Sequence, residues 1–100
     1  MIKHIVVWRL HESAHGNSKA ENAAKIKQRL EALKGVVPGL ITLEIGIDFS
    51  ATADSGDVVL YSEFESREAL DAYQAHPMHQ EVMPFIMAAR SERRMVDYEV

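Results

Sequence analysis

The stretch Phe64–His79, reading FESREALDAYQAHPMH, carries a strand end, a short helix and a Tyr/His/His cluster in one run. Phe64 closes an apolar strand pattern that begins at Val58, with Val58, Leu60 and Phe64 opposite Val59 and Tyr61. Ser66 can cap a helix from about Arg67 to Ala75, and Glu68 suits its positively polarised first turn. Tyr73 and His76 are neighbours on one helical face; Pro77 then biases His76 out of helical geometry and turns the chain so that His79 can point back. Three proton-handling side chains can thus converge. A neutral imidazole offers one donor and one acceptor, and a phenol can do both, which suits polarising a carbonyl or relaying a proton near neutral pH. The same residues can instead be structural, capping freed helix-end carbonyls or bridging a loop to a strand.

Working outward, Ile2–Leu10 places Ile2, His4, Val6, Trp8 and Leu10 on one face and Ile5 and Val7 on the other, the pattern of a strand buried on both sides. Ser18-Lys19-Ala20-Glu21 matches a capping box, and Ala23, Ile26, Leu30, Leu33 and Val37 continue at helical spacing toward Gly35, so a first helix is expected over about 18–34. Pro38-Gly39 makes a turn, after which Ile41, Leu43, Ile45 and Ile47 alternate with polar residues or Gly in a half-buried strand. Beyond the quoted stretch a helical piece is expected over about His79–Ala89, with Pro84 starting or kinking it, and a last strand over about Arg94–Val100. The order β-α-β-β-α-β predicts an α+β, ferredoxin-like sandwich with four strands in the order 4-1-3-2 and helices on one face. The other face keeps apolar residues and needs cover, which a homodimer packing sheet against sheet supplies as a dimeric α+β barrel.

One hundred residues, 47% of them hydrophobic, fit one domain over 1–100 with a single core. A net charge of −4 argues against a nucleic-acid binder, and Arg90, Arg93 and Arg94, the one local basic cluster, read as a solvated face or strand edge. The absence of cysteine removes thiol nucleophiles, disulfides and Cys-based metal sites. The opening MIKHIVVWRL has no run of signal-peptide length and no stretch approaches a membrane span, so the chain reads as cytoplasmic with no membrane partner.

His11-Glu12-Ser13-Ala14-His15 spells HExxH, but it leaves a strand and meets Gly16-Asn17 before the capped helix. Zinc chemistry needs both imidazoles on one helical face, so no metal is expected there. His76-Pro77-Met78-His79, with or without His4, lacks an evident carboxylate to complete a ligand set, and Asp48, Asp54 and Asp57 read as a solvated loop. No Gly-rich phosphate loop, GxSxG elbow or dinucleotide fingerprint is present, and no cofactor is expected. Trp8, Phe64, Met83, Phe85 and Met87 are core candidates that could also line a pocket between helices and sheet.

Several motifs follow one another along nearly the whole chain: Ile2-Lys3-His4-Ile5-Val6 followed by Trp8, Val37-Pro38-Gly39-Leu40, Glu44-Ile45-Gly46 and Ser62-Glu63-Phe64-Glu65-Ser66. Tyr73, His76-Pro77-Met78-His79 and Val96-Asp97-Tyr98 complete the set. In these the chain resembles the stress-responsive A/B barrel, or Dabb, family. The resemblance implies a ferredoxin-like monomer and a homodimer whose two sheets form a barrel. In the family's plant polyketide cyclases, which promote an intramolecular aldol condensation without a cofactor, the positions matching Tyr73 and His79 carry catalysis and the position matching His4 lies in the same pocket. The resemblance therefore implies Tyr73 and His79 as catalytic candidates, with His4, Trp8 and His76 as candidate contacts for a small apolar or carbonyl ligand. Three readings stand: a homodimer of undefined activity with a pocket in each subunit, a cofactor-free cyclase or lyase acting on a carbonyl or polyketide-like compound, and a non-catalytic stress or interaction protein.

Overall fold

The computed structural model describes residues 1–100. Its strands and helices are β1 (Ile2–Leu10), β2 (Ser13–Ala14), β3 (Asn17–Ser18), α1 (Lys19–Glu31), β4 (Leu40–Ile47), β5 (Val58–Phe64), α2 (Arg67–Ala75), α3 (Pro77–Ala89) and β6 (Arg90–Glu99). The four long strands form one antiparallel sheet in the order β4-β5-β1-β6, which is the expected arrangement, and β2 with β3 makes a small separate hairpin. Period-two alternation sorts the side chains of β1: Ile2, His4, Val6, Trp8 and Leu10 are buried beneath the helices. Register places Leu43 and Ile45 of β4 and Val58, Leu60, Ser62 and Phe64 of β5 on the same side. Ile26 and Leu30 of α1, Leu70 and Tyr73 of α2, and Ile86 and Ala89 of α3 close the core from above.

Several boundaries differ from those expected. The capping box of α1 forms as expected, with Glu21 N donating to Ser18 Oγ at 3.2 Å and Ser18 N donating to Glu21 Oε1 at 3.1 Å. Regular helix stops at Glu31 rather than residue 34, and turns carry the buried Leu33 and Val37 onward through Gly35, whose φ of 75° is left-handed. Arg67–Ala75 is helical as expected. The next helix starts at Pro77 rather than His79, because a proline lacking its amide suits the first helical position. It continues through Pro84, which neither starts it nor ends it, though the missing amide deprives the Gln80 carbonyl of its intrahelical donor. The last strand begins four residues earlier than expected, so the arginines at its start belong to the sheet.

The sheet's second face has no helix. Ile5, Val7, Val59 and Tyr61 are only half-buried there, and Val96 and Tyr98 are 51% and 41% exposed. Phe49, in the loop after β4, stands 95% exposed. No helix is long and apolar enough to cross a membrane.

Candidate functional site

Tyr73 sits in the last turn of α2 and His79 in the first turn of α3, and the single residue between the helices brings them together. His76 is extended (φ −62°, ψ 137°), as the proline after it requires, and there the helical path breaks and restarts in a new direction. The rings of Tyr73 and His79 meet edge to face with centroids 4.6 Å apart, and His4 from β1 approaches Tyr73 at 6.5 Å. Phe64 packs against Tyr73 at 5.1 Å and against His4 at 6.4 Å, closing the floor of the cluster.

A cavity of about 130 Å³ opens beside these rings, between the helices and the sheet. Tyr73, His79, His4 and Trp8 line it, and so do Arg90 and Arg93. A larger groove of about 370 Å³ lies between α2 and β6, where Arg67, Asp71 and Glu99 meet Ile2 and Leu70, but no histidine faces it. Chemistry therefore points to the smaller cavity. His76 is not among its walls: its Nδ1 accepts from Met78 N at 3.2 Å, so the imidazole caps α3 in the way the sequence allowed for a structural role. Met83 and Met87 line the cavity instead of joining the sealed core, Met87 being largely exposed.

The electrostatics divide the two lead candidates. Burial pushes the Tyr73 hydroxyl up to about 12, with no hydrogen bond contributing, so Tyr73 stays a neutral donor. Burial lowers His79, and the electrostatic influence of the neighbouring His4, Arg93 and His76 acts the same way, leaving an imidazole that is neutral and able to accept a proton at neutral pH. The Gln74 carbonyl opposes this shift, but its oxygen accepts from Gln80 Nε2 at 2.8 Å and His79 Nδ1 is buried with no hydrogen-bond partner. The only other buried side-chain polar atom without a partner is Nε1 of Trp8, on the same cavity. Such orphans are uncommon in a folded interior and cost about 1–3 kcal/mol each when dry, so their collection in one cavity marks a place where a guest can supply partners.

His4 is held from behind. Asp97 of β6 lies directly opposite it in the sheet, and its carboxylate pairs with Nδ1 of His4. A carboxylate accepting the Nδ1 proton directs the remaining ring nitrogen, Nε2, to serve as an acceptor. Ser62 Oγ donates to the His4 carbonyl at 2.8 Å and fixes the backbone below.

The other sequence candidates are occupied elsewhere. The HExxH segment is not helical: Ser13–Ala14 pairs with Asn17–Ser18, His15 has φ 55°, and its ring stacks on Phe85 with centroids 4.3 Å apart. No group of three or more His, Asp or Glu is placed to hold a metal ion. Asp57 accepts from Leu10 N at 2.7 Å and so ties the loop to the end of β1, while Asp48 accepts from Ala51 N at 2.8 Å within its own loop.

Solved structures similar to this chain share its fold. A dimeric protein of unknown function with a ferredoxin-like fold from Bacteroides fragilis is 26% identical, with a TM-score of 0.87 over 99% of this chain and 95% of that one. A dimeric ferredoxin-like protein of unknown function from a Jannaschia species is 25% identical, with a TM-score of 0.77 over 99% and 98%. The hydroxynitrile lyase of Passiflora edulis, at 17% identity, matches in fold with a TM-score of 0.81 over 99% and 92%. No curated protein matches the chain significantly. A sequence model of the stress responsive A/B barrel domain, Dabb, matches residues 2–100, and the chain belongs to that family.

Proposed function

We propose that this Dabb protein is a cytoplasmic homodimer in which each subunit binds a small carbonyl compound between helices and sheet. The observation that carries the reading is the gathering of both orphaned buried polar atoms, Trp8 Nε1 and His79 Nδ1, on the cavity that also holds Tyr73 and His4. Tyr73 as a neutral donor would hydrogen-bond the carbonyl oxygen and stabilise negative charge developing on it. His79 as a neutral base would take a proton from the adjacent carbon, and His4, steadied by Asp97, would hold or relay one. Such proton transfers need no cofactor. Dimerisation is supported by the uncovered apolar sheet face and by the dimeric description of the Bacteroides and Jannaschia proteins.

A structural reading draws on the same rings, since Tyr73 touches Phe64 and His79 as a core aromatic would. Thermal-shift screening of a carbonyl-compound library against wild type, Tyr73→Phe and His79→Ala separates the two. The pocket reading expects a stabilising compound for wild type whose effect falls about tenfold in affinity or more in both variants, each still a folded dimer. Marked destabilisation of both variants, with no compound found for wild type, would favour the structural reading.

A further inference from the structure

Arg90 and Arg93 are an odd number of residues apart on β6, and an undistorted strand would send their side chains to opposite faces. The strand is not undistorted. Arg93 pairs with Trp8 and Glu92 with Arg9, but Leu10 pairs with Arg90, so Ser91 has no counterpart on β1. This extra residue is a β-bulge, a device that re-aims a side chain, and it brings Arg90 to the helix-covered side together with Arg93. Both guanidinium groups then line the cavity of Tyr73 and His79.

Neither has an acidic partner. Arg94, on the opposite face, pairs with Glu92 at 3.6 Å, and Arg67 pairs with Glu99 at 3.2 Å, whereas Arg90 and Arg93 form no salt bridge. In a chain with 15 acidic and 11 basic residues, Arg90, half-buried, and Arg93, exposed, lack carboxylate partners because the register sets them opposite Leu10 and Trp8, not for shortage of acids. A second observation is independent of them: the buried Trp8 indole, opposite Arg93, has a donor and no acceptor. Donors therefore outnumber acceptors at this end of the cavity, which calls for an acceptor-rich, negatively charged guest.

We propose that Arg90, Arg93 and the Trp8 indole form a carboxylate-binding subsite, so that the ligand is a small oxo acid with its carboxylate at the arginines and its carbonyl at Tyr73 and His79. This rests on the carbonyl-pocket reading and names its ligand class. A cavity of about 130 Å³ is too small for the drug-sized ligands that fill roughly 300–1,000 Å³. A planar carboxylate matches the guanidinium fork and presents acceptors enough for both arginines and the indole.

The chain's single tryptophan makes the test direct, because the Trp8 indole N–H gives one isolated NMR resonance. Isotope-labelled full-length protein is titrated with 2-oxobutanoate and 3-oxobutanoate, with the neutral methyl ester of each, and with inorganic phosphate. An oxo acid is expected to move the indole resonance saturably, with affinity about tenfold or more above that of its ester. The Arg90→Gln, Arg93→Gln double variant should bind acid and ester alike while its other resonances stay in place, and Arg94→Gln should behave as wild type. Equal binding of acid and ester to wild type, or an acid preference that survives in the double variant, overturns the carboxylate subsite but leaves the carbonyl pocket standing. Phosphate binding more tightly than either acid reassigns the subsite to phosphate. If neither acids nor esters perturb the cavity, the carbonyl-pocket reading fails, and this one with it.

Discussion

His79 was legible as a candidate because Pro77 forces a break next to Tyr73, a local effect that needs only neighbouring residues. Its partners were not legible. Asp97 meets His4 across 93 positions of sequence, and Arg93 reaches the cavity only through the pairing of β6 with β1, so no local pattern announces either. His76 shows the reverse case: its place in the motif suggested a ligand contact, whereas backbone geometry makes it the cap of α3. The lowered affinity of His79 for protons has a consequence for stability. The unfolded ring titrates near 6.5 and the folded ring below that, so at higher pH both are neutral and nothing is lost. As pH falls through 6.5 toward the folded value the unfolded chain takes up a proton that the folded one resists, and stability declines. Melting temperatures measured between pH 7.5 and pH 5 should fall for wild type and fall less for His79→Gln, which cannot titrate; parallel profiles would show that the burial of His79 carries no such cost. Glu21 and Glu31, held below the ordinary carboxylate range chiefly by hydrogen bonds from Ser18 and Lys27 respectively, act at lower pH and leave this window clear.

Elements with their own start signals were read closely. The Ser18 and Ser66 caps, the alternation in β1 and β5 and the Pro38-Gly39 turn all lie where the residues put them. Ends set by packing were harder: α1 yields to turns at Glu31 although its apolar spacing continues, and β6 starts in an arginine-rich segment because β1 offers it a partner strand. Gly39 tests how tightly the turn before β4 is built. Its φ is +80°, and a Cβ there would stand 2.6 Å from Cβ of Ala69 on α2. Gly35 has a similar φ of +75° but open space around it. Gly35→Ala should therefore cost only the left-handed backbone, about 1–2 kcal/mol, while Gly39→Ala adds displacement of α2 and should lower the melting temperature by about 10 °C or more. Calorimetry on both variants checks the contrast, and equal losses would mean that α2 yields without resistance.

For the molecule as a whole, the sequence showed apolar residues on both sides of the sheet, but assigning Val59 and Leu60 to their sides required the register. Leu60 is buried under the helices, and Val59 lies on the open face beside Val7. Val59→Glu should consequently leave the subunit folded and shift the protein in light scattering toward a monomer of 11.3 kDa, while Leu60→Glu should prevent folding. A fully dimeric Val59→Glu would point to another interface.

The central place of β1 also governs when the sheet can exist during synthesis. Both of its neighbours are made late: β5 spans Val58–Phe64 and β6 Arg90–Glu99, whereas β1 ends at Leu10. At ribosomal rates of about 5–20 residues per second, roughly 4–16 s pass between emergence of the first strand and of the last. Throughout that interval the central strand of the fold has at least one open edge, and until α2 and α3 are made the hairpin-capped α1 is the only helix ready to shield it. The nascent chain is thus most exposed to mispairing and to chaperone capture at its beginning, and the completed β6 edge is what ends that exposure.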